Sequence, residues 1–228
     1  MADLFNTRAA EQEEHHWLSV SDLMAGLMVV FLFIAIALMR DALIEKERIR
    51  DIAVAYQETQ VAIYDELVKE FEKDLSKWNA SIDRDTLTFT FNAPDILFEQ
   101  GKDVINAEYK KLLADFFPRY IVALDRYKDS INEVRIEGHT SSVWNRFSSE
   151  TEAYFLNMEL SQGRTRSVLN YAYRLPAVKQ YRPWIKSNIA AVGFSSSRPV
   201  YQKNGKEDGI GSRRVTFRVV TNAEIQIK

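Results

Sequence analysis

The chain has 228 residues, 46% apolar and 27% charged, which leaves room for one ordinary domain plus extra segments. Its formal net charge of −2 argues against a nucleic-acid partner, which would select a clearly basic face. Cysteine is absent, so disulfide scaffolds, thiolate zinc sites and thiol catalysis are excluded.

Residues 1–16 are a short polar tail of acidic character. Trp17 to Met39 (WLSVSDLMAGLMVVFLFIAIALM) is a 23-residue stretch with one ionisable group, Asp22. At about 1.5 Å per residue it reaches roughly 34 Å, enough to cross a hydrocarbon core of about 30 Å. A cleaved secretory signal would have a basic leader and a shorter apolar core ending in small residues. Here the leader is acidic and Arg40-Asp41 follows the apolar stretch, so one retained transmembrane helix over 17–39 is expected.

Residues 40–80 contain neither Gly nor Pro and read as a helical linker. Ile52, Tyr56, Ile63, Leu67, Phe71, Leu75 and Trp78 recur mostly every fourth residue with charges between them, which makes one apolar stripe. A lone helix cannot bury that stripe. It must meet a second copy, another subunit or its own domain; a parallel dimer contact is the simplest reading, with packing on its own domain the alternative for the C-terminal half.

From about residue 81 to 228 strands and helices alternate. Thr86 to Phe91 alternates with period two, placing Leu87, Phe89 and Phe91 on one face. Residues 106–127 read as a helix with Pro118 inside it. Glu133 to Gly138 reads as a strand, residues 151–174 as a helix with Leu156, Leu160, Val168 and Leu169 inward, Asn188 to Gly193 as a strand, and Arg213 to Thr221 as the clearest strand, with Val215, Phe217 and Val219 on one face. Ser195 to Ser212, rich in Ser, Gly and Pro, reads as turn and loop. The alternation predicts an α/β (α+β) sandwich, with helices packed on a mixed sheet.

Asp22 is the most informative residue. A charged side chain near the middle of a bilayer costs about 2.5–3.5 kcal/mol. Desolvation favours the neutral acid, so the group suits uptake and release of a cation. The rival reading is an acid at the headgroup level, flanked by Ser19 and Ser21 and facing water. Ala25 and Gly26 permit close helix approach, and Met24 and Met28 adapt to irregular contacts. One helix cannot enclose an ion path, so a partner with more helices is required. No Ser-His-Asp spacing supports a hydrolase, so no enzyme activity, cofactor or catalytic residue is expected. His15-His16 reads as a solvated pair, not a metal site.

Trp17, Asp22, Met24 and Met28, in this spacing, resemble the span of MotB-like stator subunits, which pair with a multi-span A subunit. That resemblance implies that Asp22 carries the ion. Gly138-His139-Thr140, followed by Asn157, Leu160-Ser161 and Arg164, resembles the OmpA-like peptidoglycan-binding domain. Gly193-Phe194 with Pro199 and Arg213-Arg214-Val215 are similar to its later turn and closing strand. The resemblance implies a wall-binding set of Thr140, Ser141, Leu156, Asn157, Leu160 and Arg164, with Arg164 pairing a stem-peptide carboxylate. It gives His139 a packing role and makes Arg213 and Arg214 domain-stabilising. The chain departs from the family at Ser141, where an aspartate is usual. It departs again in the segment from Ser142 to Phe155, read as a loop carrying Trp144, Tyr154 and Phe155.

The acidic leader and the span together are similar to the B subunits of Zorya anti-phage defence systems. This resemblance implies an ion-driven, proton-driven by preference, inner-membrane motor of five A subunits around two B chains. It implies a homodimer of this chain, peptidoglycan as anchor, cytoplasmic effectors reached only indirectly, and no direct nucleic-acid contact. It also places the N-terminus in the cytoplasm and the C-terminal domain in the periplasm. The positive-inside rule would place them oppositely, but long domains translocate largely regardless of charge. A flagellar-type stator subunit and a static wall-anchoring membrane protein are the alternatives.

Overall fold

A single helix, α1, runs from Asp3 to Leu75. The structure, a computed structural model, describes residues 3–92, 97–99 and 101–222, with side chains from Val20 onward. The side chains of Trp17, Ser19 and the His15-His16 pair therefore lie outside the described residues, as do the last residues of the 81–228 segment. The chain divides into two units, residues 1–52 and 53–228.

The first unit consists of α1 alone. Among the described residues, from Val20 on, its apolar side chains point to every side and none is buried: Leu23 is 75% exposed and Phe33 67%. A helix that is apolar all round matches a lipid or helical-partner environment, not water. It is the one helix among the described residues long and apolar enough to cross a membrane.

The second unit starts with the end of α1, where the pattern changes to one stripe. Ile63, Leu67 and Phe71 are fully buried in the core of the unit, and Leu75 packs against that core. The C-terminal half of the stripe thus meets its own domain; upstream, Ile52 and Tyr56 are only half-buried. After a turn through Asn79, strand β1 (Ala80–Asp83) forms an antiparallel hairpin with β2 (Thr88–Asn92). Helix α2 (Ala107–Asp125), strand β3 (Ile131–His139) and helix α3 (Glu150–Arg174) follow. A 3₁₀ turn (Pro176–Tyr181) leads into α4 (Arg182–Asn188) and β4 (Ile189–Gly193), then a one-turn α5 (Gly209–Ser212) and β5 (Arg214–Thr221). The sheet order is β1-β2-β5-β3-β4, with β3 and β4 parallel and the other pairs antiparallel. This is the expected mixed sheet covered by helices.

Local signals explain the helix starts. The Asn106 side chain caps α2 by accepting from the Tyr109 amide at 2.8 Å. Ser149 and Glu152 form a reciprocal capping box on α3. That cap ends the preceding loop at Ser149, so Tyr154 and Phe155 stand on the helix and not, as the sequence suggested, in the loop.

The core is built around Phe116 of α2. Its ring centroid lies 4.7 Å from Phe89, 5.0 Å from Phe91, Tyr120 and Phe217, and 5.2 Å from Phe71. Tilted and edge-on pairs of this kind suit the ring quadrupole and add to the burial of area. Arg119, one turn further, fastens α1 to α2. It contacts Glu70 at 2.6 Å, Asp74 at 2.9 Å and Asp115 at 3.3 Å, and it lies over the Phe71 ring at 4.8 Å. Burial opposes its charge, but the hydrogen bonds to Glu70 and Asp74 hold the guanidinium above the ordinary arginine range.

Candidate functional site

The site at the end of β3 is shaped by the closeness of α3. A Cβ on Gly138 would lie 2.7 Å from the Ser161 carbonyl oxygen, and one on Gly193 2.6 Å from the Gln162 amide nitrogen. Only glycine lets the helix backbone settle so near the two strands. The inner face of α3 must then be small or polar where it crosses them. Ala153, Asn157, Ser161 and Thr165 are buried there, and Val168 and Ala172 continue into the apolar core. The expectation that Leu156 and Leu160 point inward fails for this reason. Leu156 is exposed and Leu160 half-buried, and both line the surface.

Hydrogen bonds across this contact hold the strand end. Asn157 donates from Nδ2 to the Ser141 carbonyl at 3.1 Å. The Thr140 amide donates to the Ser195 carbonyl at 2.9 Å, the Ser195 amide to Ser161 Oγ at 3.1 Å, and Ser195 Oγ to the Tyr154 carbonyl at 2.6 Å. Thr140 and Ser141 are themselves buried. The Ser142 amide donates to Glu207 Oε1 at 2.9 Å, and Ser142 Oγ also bonds the Glu207 carboxylate. A carboxylate is thus tied beside position 141 although the sequence has none there.

Arg164 is buried, 5% exposed, and not spread on the surface. Its Nε donates to the Lys102 carbonyl at 3.0 Å, and its guanidinium lies 4.9 Å from the Phe98 ring centre. Lys102 and Asp103 form one wall of a cleft of about 380 Å³, with Trp144, Leu156, Glu159 and Leu160 opposite. The six residues singled out in the sequence therefore divide. Leu156 and Leu160 line the cleft. Asn157 and Arg164 brace the two chain segments at its edges, and Thr140 and Ser141 form the buried strand end. Sequence reading missed Ser195, Glu207, Asp103 and Glu159. The first two act on partners 34 and 65 residues away, a distance over which local pattern carries no signal.

On the other face of β3 lie Glu137 and His139. The His139 ring stacks on Phe194 at 5.3 Å, and Nε2 is 3.5 Å from Glu137 Oε2. Arg198 lies 3.7 Å from the same carboxylate oxygen and 3.8 Å from the Phe194 ring centre. Burial holds His139 below the usual imidazole range, so it is neutral at neutral pH. Burial works against the Glu137 carboxylate, but the His139 hydrogen bond and the Arg198 and Arg218 charges keep it below the usual carboxylate range. Arg214 caps the neighbouring turn, donating to the Gly211, Ser212 and Arg198 carbonyls at 3.1–3.4 Å. Asp22, in α1, is exposed in the isolated chain. No cluster of His, Cys, Asp and Glu suited to a metal occurs among the described residues.

The OmpA family profile matches residues 97–211. Over 218 residues the chain is 53% identical to the Zorya protein ZorB of Escherichia coli strain Crooks, covering 96% of this chain and 93% of that protein. Among solved structures, a MotB-like protein from Desulfovibrio vulgaris is 20% identical, with 75% of this chain and 94% of that chain aligned at a TM-score of 0.49. The cell wall anchor of the type VI secretion system from Pseudomonas aeruginosa is 21% identical, with 68% and 97% aligned at 0.47.

Proposed function

The chain belongs to the OmpA family and to the ZorB proteins of Zorya, and from that premise we propose that it is the B subunit of an ion-driven inner-membrane motor that defends against phage. In this reading residues 17–39 cross the membrane once, with the N-terminus in the cytoplasm. Two copies sit within a ring of five multi-span A subunits. Asp22 takes up an ion, a proton by preference, from the periplasmic side. Neutralised, it loosens its contact with one A subunit, and the ring advances until the ion is released inward. One charge moved across 100 mV yields about 2.3 kcal/mol for each step. The periplasmic domain grips peptidoglycan through the cleft beside Leu156 and Leu160, braced by Asn157 and Arg164, so that the A ring turns against a fixed B pair. Effectors in the cytoplasm are reached through the A subunits.

The observation that carries this reading is the joining of two features in one chain. An acid inside an apolar span precedes an OmpA-family domain, and a ZorB protein matches the two together along 96% of the chain. The test is Asp22→Asn, expressed with the A subunit. Protection against phage should be lost while the A–B complex still co-purifies. Full protection would reject the ion-carrying role and favour a static wall anchor. Co-sedimentation of the full-length protein with purified sacculi tests the second half. Failure to sediment would remove the anchoring role and leave the motor in place.

A further inference from the structure

The cleft does not end at Leu156. Beyond that residue and Glu159, which it shares, a second trough of about 640 Å³ runs along the first turns of α3, between Phe147 and Phe155. We propose that this trough binds a pyranose ring of the peptidoglycan glycan strand, while the adjoining cleft holds the attached peptide. The inference rests on the wall-binding reading above and extends it from peptide to sugar.

Three observations support it. First, the apolar surface is aromatic and open: Phe147 is 81% exposed and Phe155 65%. Exposed apolar groups gathered in a trough mark a binding surface more often than scattered ones do. A pyranose has an apolar C–H face that packs on an aromatic ring and a polar rim that needs hydrogen-bonding groups beside it. The trough offers that rim through Asn145, Thr151 and Glu159. The Glu159 carboxylate makes no hydrogen bond or ion pair to any described residue, so it can accept from a sugar hydroxyl or acetamide N–H.

Second, the aromatic groups are held in place before binding. Asn145 Oδ1 accepts from the Phe147 amide at 2.8 Å and from the Ser148 amide at 2.9 Å, which fixes the turn. Arg146 lies over the Phe147 ring at 4.7 Å, and Tyr154 meets Phe155 edge-on at 5.5 Å. A preformed surface loses less freedom when a ligand arrives. Third, the carboxylates beside the trough, Glu152 and Glu159, with Asp103 in the adjoining cleft, are balanced by Arg146 over Phe147 and Lys102 in the cleft wall, so no net positive patch forms there. That disfavours anionic lipid and suits a neutral amide- and hydroxyl-bearing sugar.

The test uses full-length protein in detergent, wild type and the F147S/F155S variant, against three probes: intact sacculi, peptide-free glycan strands and soluble stem peptide. Wild type should bind glycan strands. The variant should bind them at least about tenfold more weakly, with stem-peptide affinity and thermal unfolding unchanged. Stem-peptide binding without glycan binding would overturn the sugar site and leave wall anchoring standing. So would a variant that binds glycan strands as wild type does, or one that changes only the oligomeric state, which would mark the trough as a protein contact. Absence of binding to all three probes would overturn the sugar site and wall anchoring together.

Discussion

The upstream and downstream parts of α1 use the same kinds of residue in opposite ways. Between Val20 and Met39 the apolar side chains surround the helix and stay exposed; downstream, Ile63, Leu67 and Phe71 occupy one stripe and are fully buried. Both use Ile, Leu and Phe, but Asp22 is the one ionisable residue upstream, whereas Asp65, Glu66, Lys69 and Glu70 fill the other faces downstream. The difference in composition becomes a difference in angular distribution. An all-round apolar surface needs an apolar medium, whereas a stripe needs one partner face. The downstream part finds that face in Phe89 and Phe116.

That contrast can be broken first at its buried end. Phe71→Ala should destabilise the 53–228 unit by about 3–5 kcal/mol, measured by chemical denaturation, because the aromatic cluster cannot close over the hole. Arg119→Gln should cost about 1 kcal/mol in the same assay, through loss of the Glu70 and Asp74 contacts and the stacking on Phe71. A smaller effect should follow pH. The lowered His139 leaves the unfolded chain binding more protons as pH falls below about 6.5, and the lowered Glu137 does the same below about 4.5, so stability should decline in two stages on acidification. His139→Gln should flatten the upper stage and keep the lower one, read as Tm against pH. At the other end of the comparison, Leu32→Ala should leave the unfolding of the 53–228 unit unchanged within about 0.5 kcal/mol. A large loss there would show that the stability of the 53–228 unit depends on the apolar span.

Much of the fold was legible because periodicity reports burial. β2, β3, β4, β5, α2 and α3 all lie within a few residues of where the apolar pattern placed them. β1 was missed: Ala-Ser-Ile-Asp is four residues at a sheet edge, too short to show a period. The 3₁₀ turn and α4 were missed for a similar reason, being brief and interrupted by Pro176 and Pro183. Of the candidate site, Asn157, Leu160 and Arg164 were singled out through motif spacing, but their division into lining and bracing groups was not legible. That division follows from how closely α3 approaches β3 and β4, which a one-dimensional pattern does not encode. Leu156 shows the failure most simply, since leucine is ordinarily an inward residue and here the inward positions have no room for it.

The glycines at 138 and 193 bear on how such a site can diversify. With main chain resting on main chain beneath the cleft, no side chain there can be enlarged without forcing helix and strands apart. Changes in ligand preference must therefore accumulate in the segments that border the opening, residues 101–104 and 144–148, where Lys102, Trp144 and Phe147 already stand. Descendants of this scaffold should differ at the rim and agree at the floor.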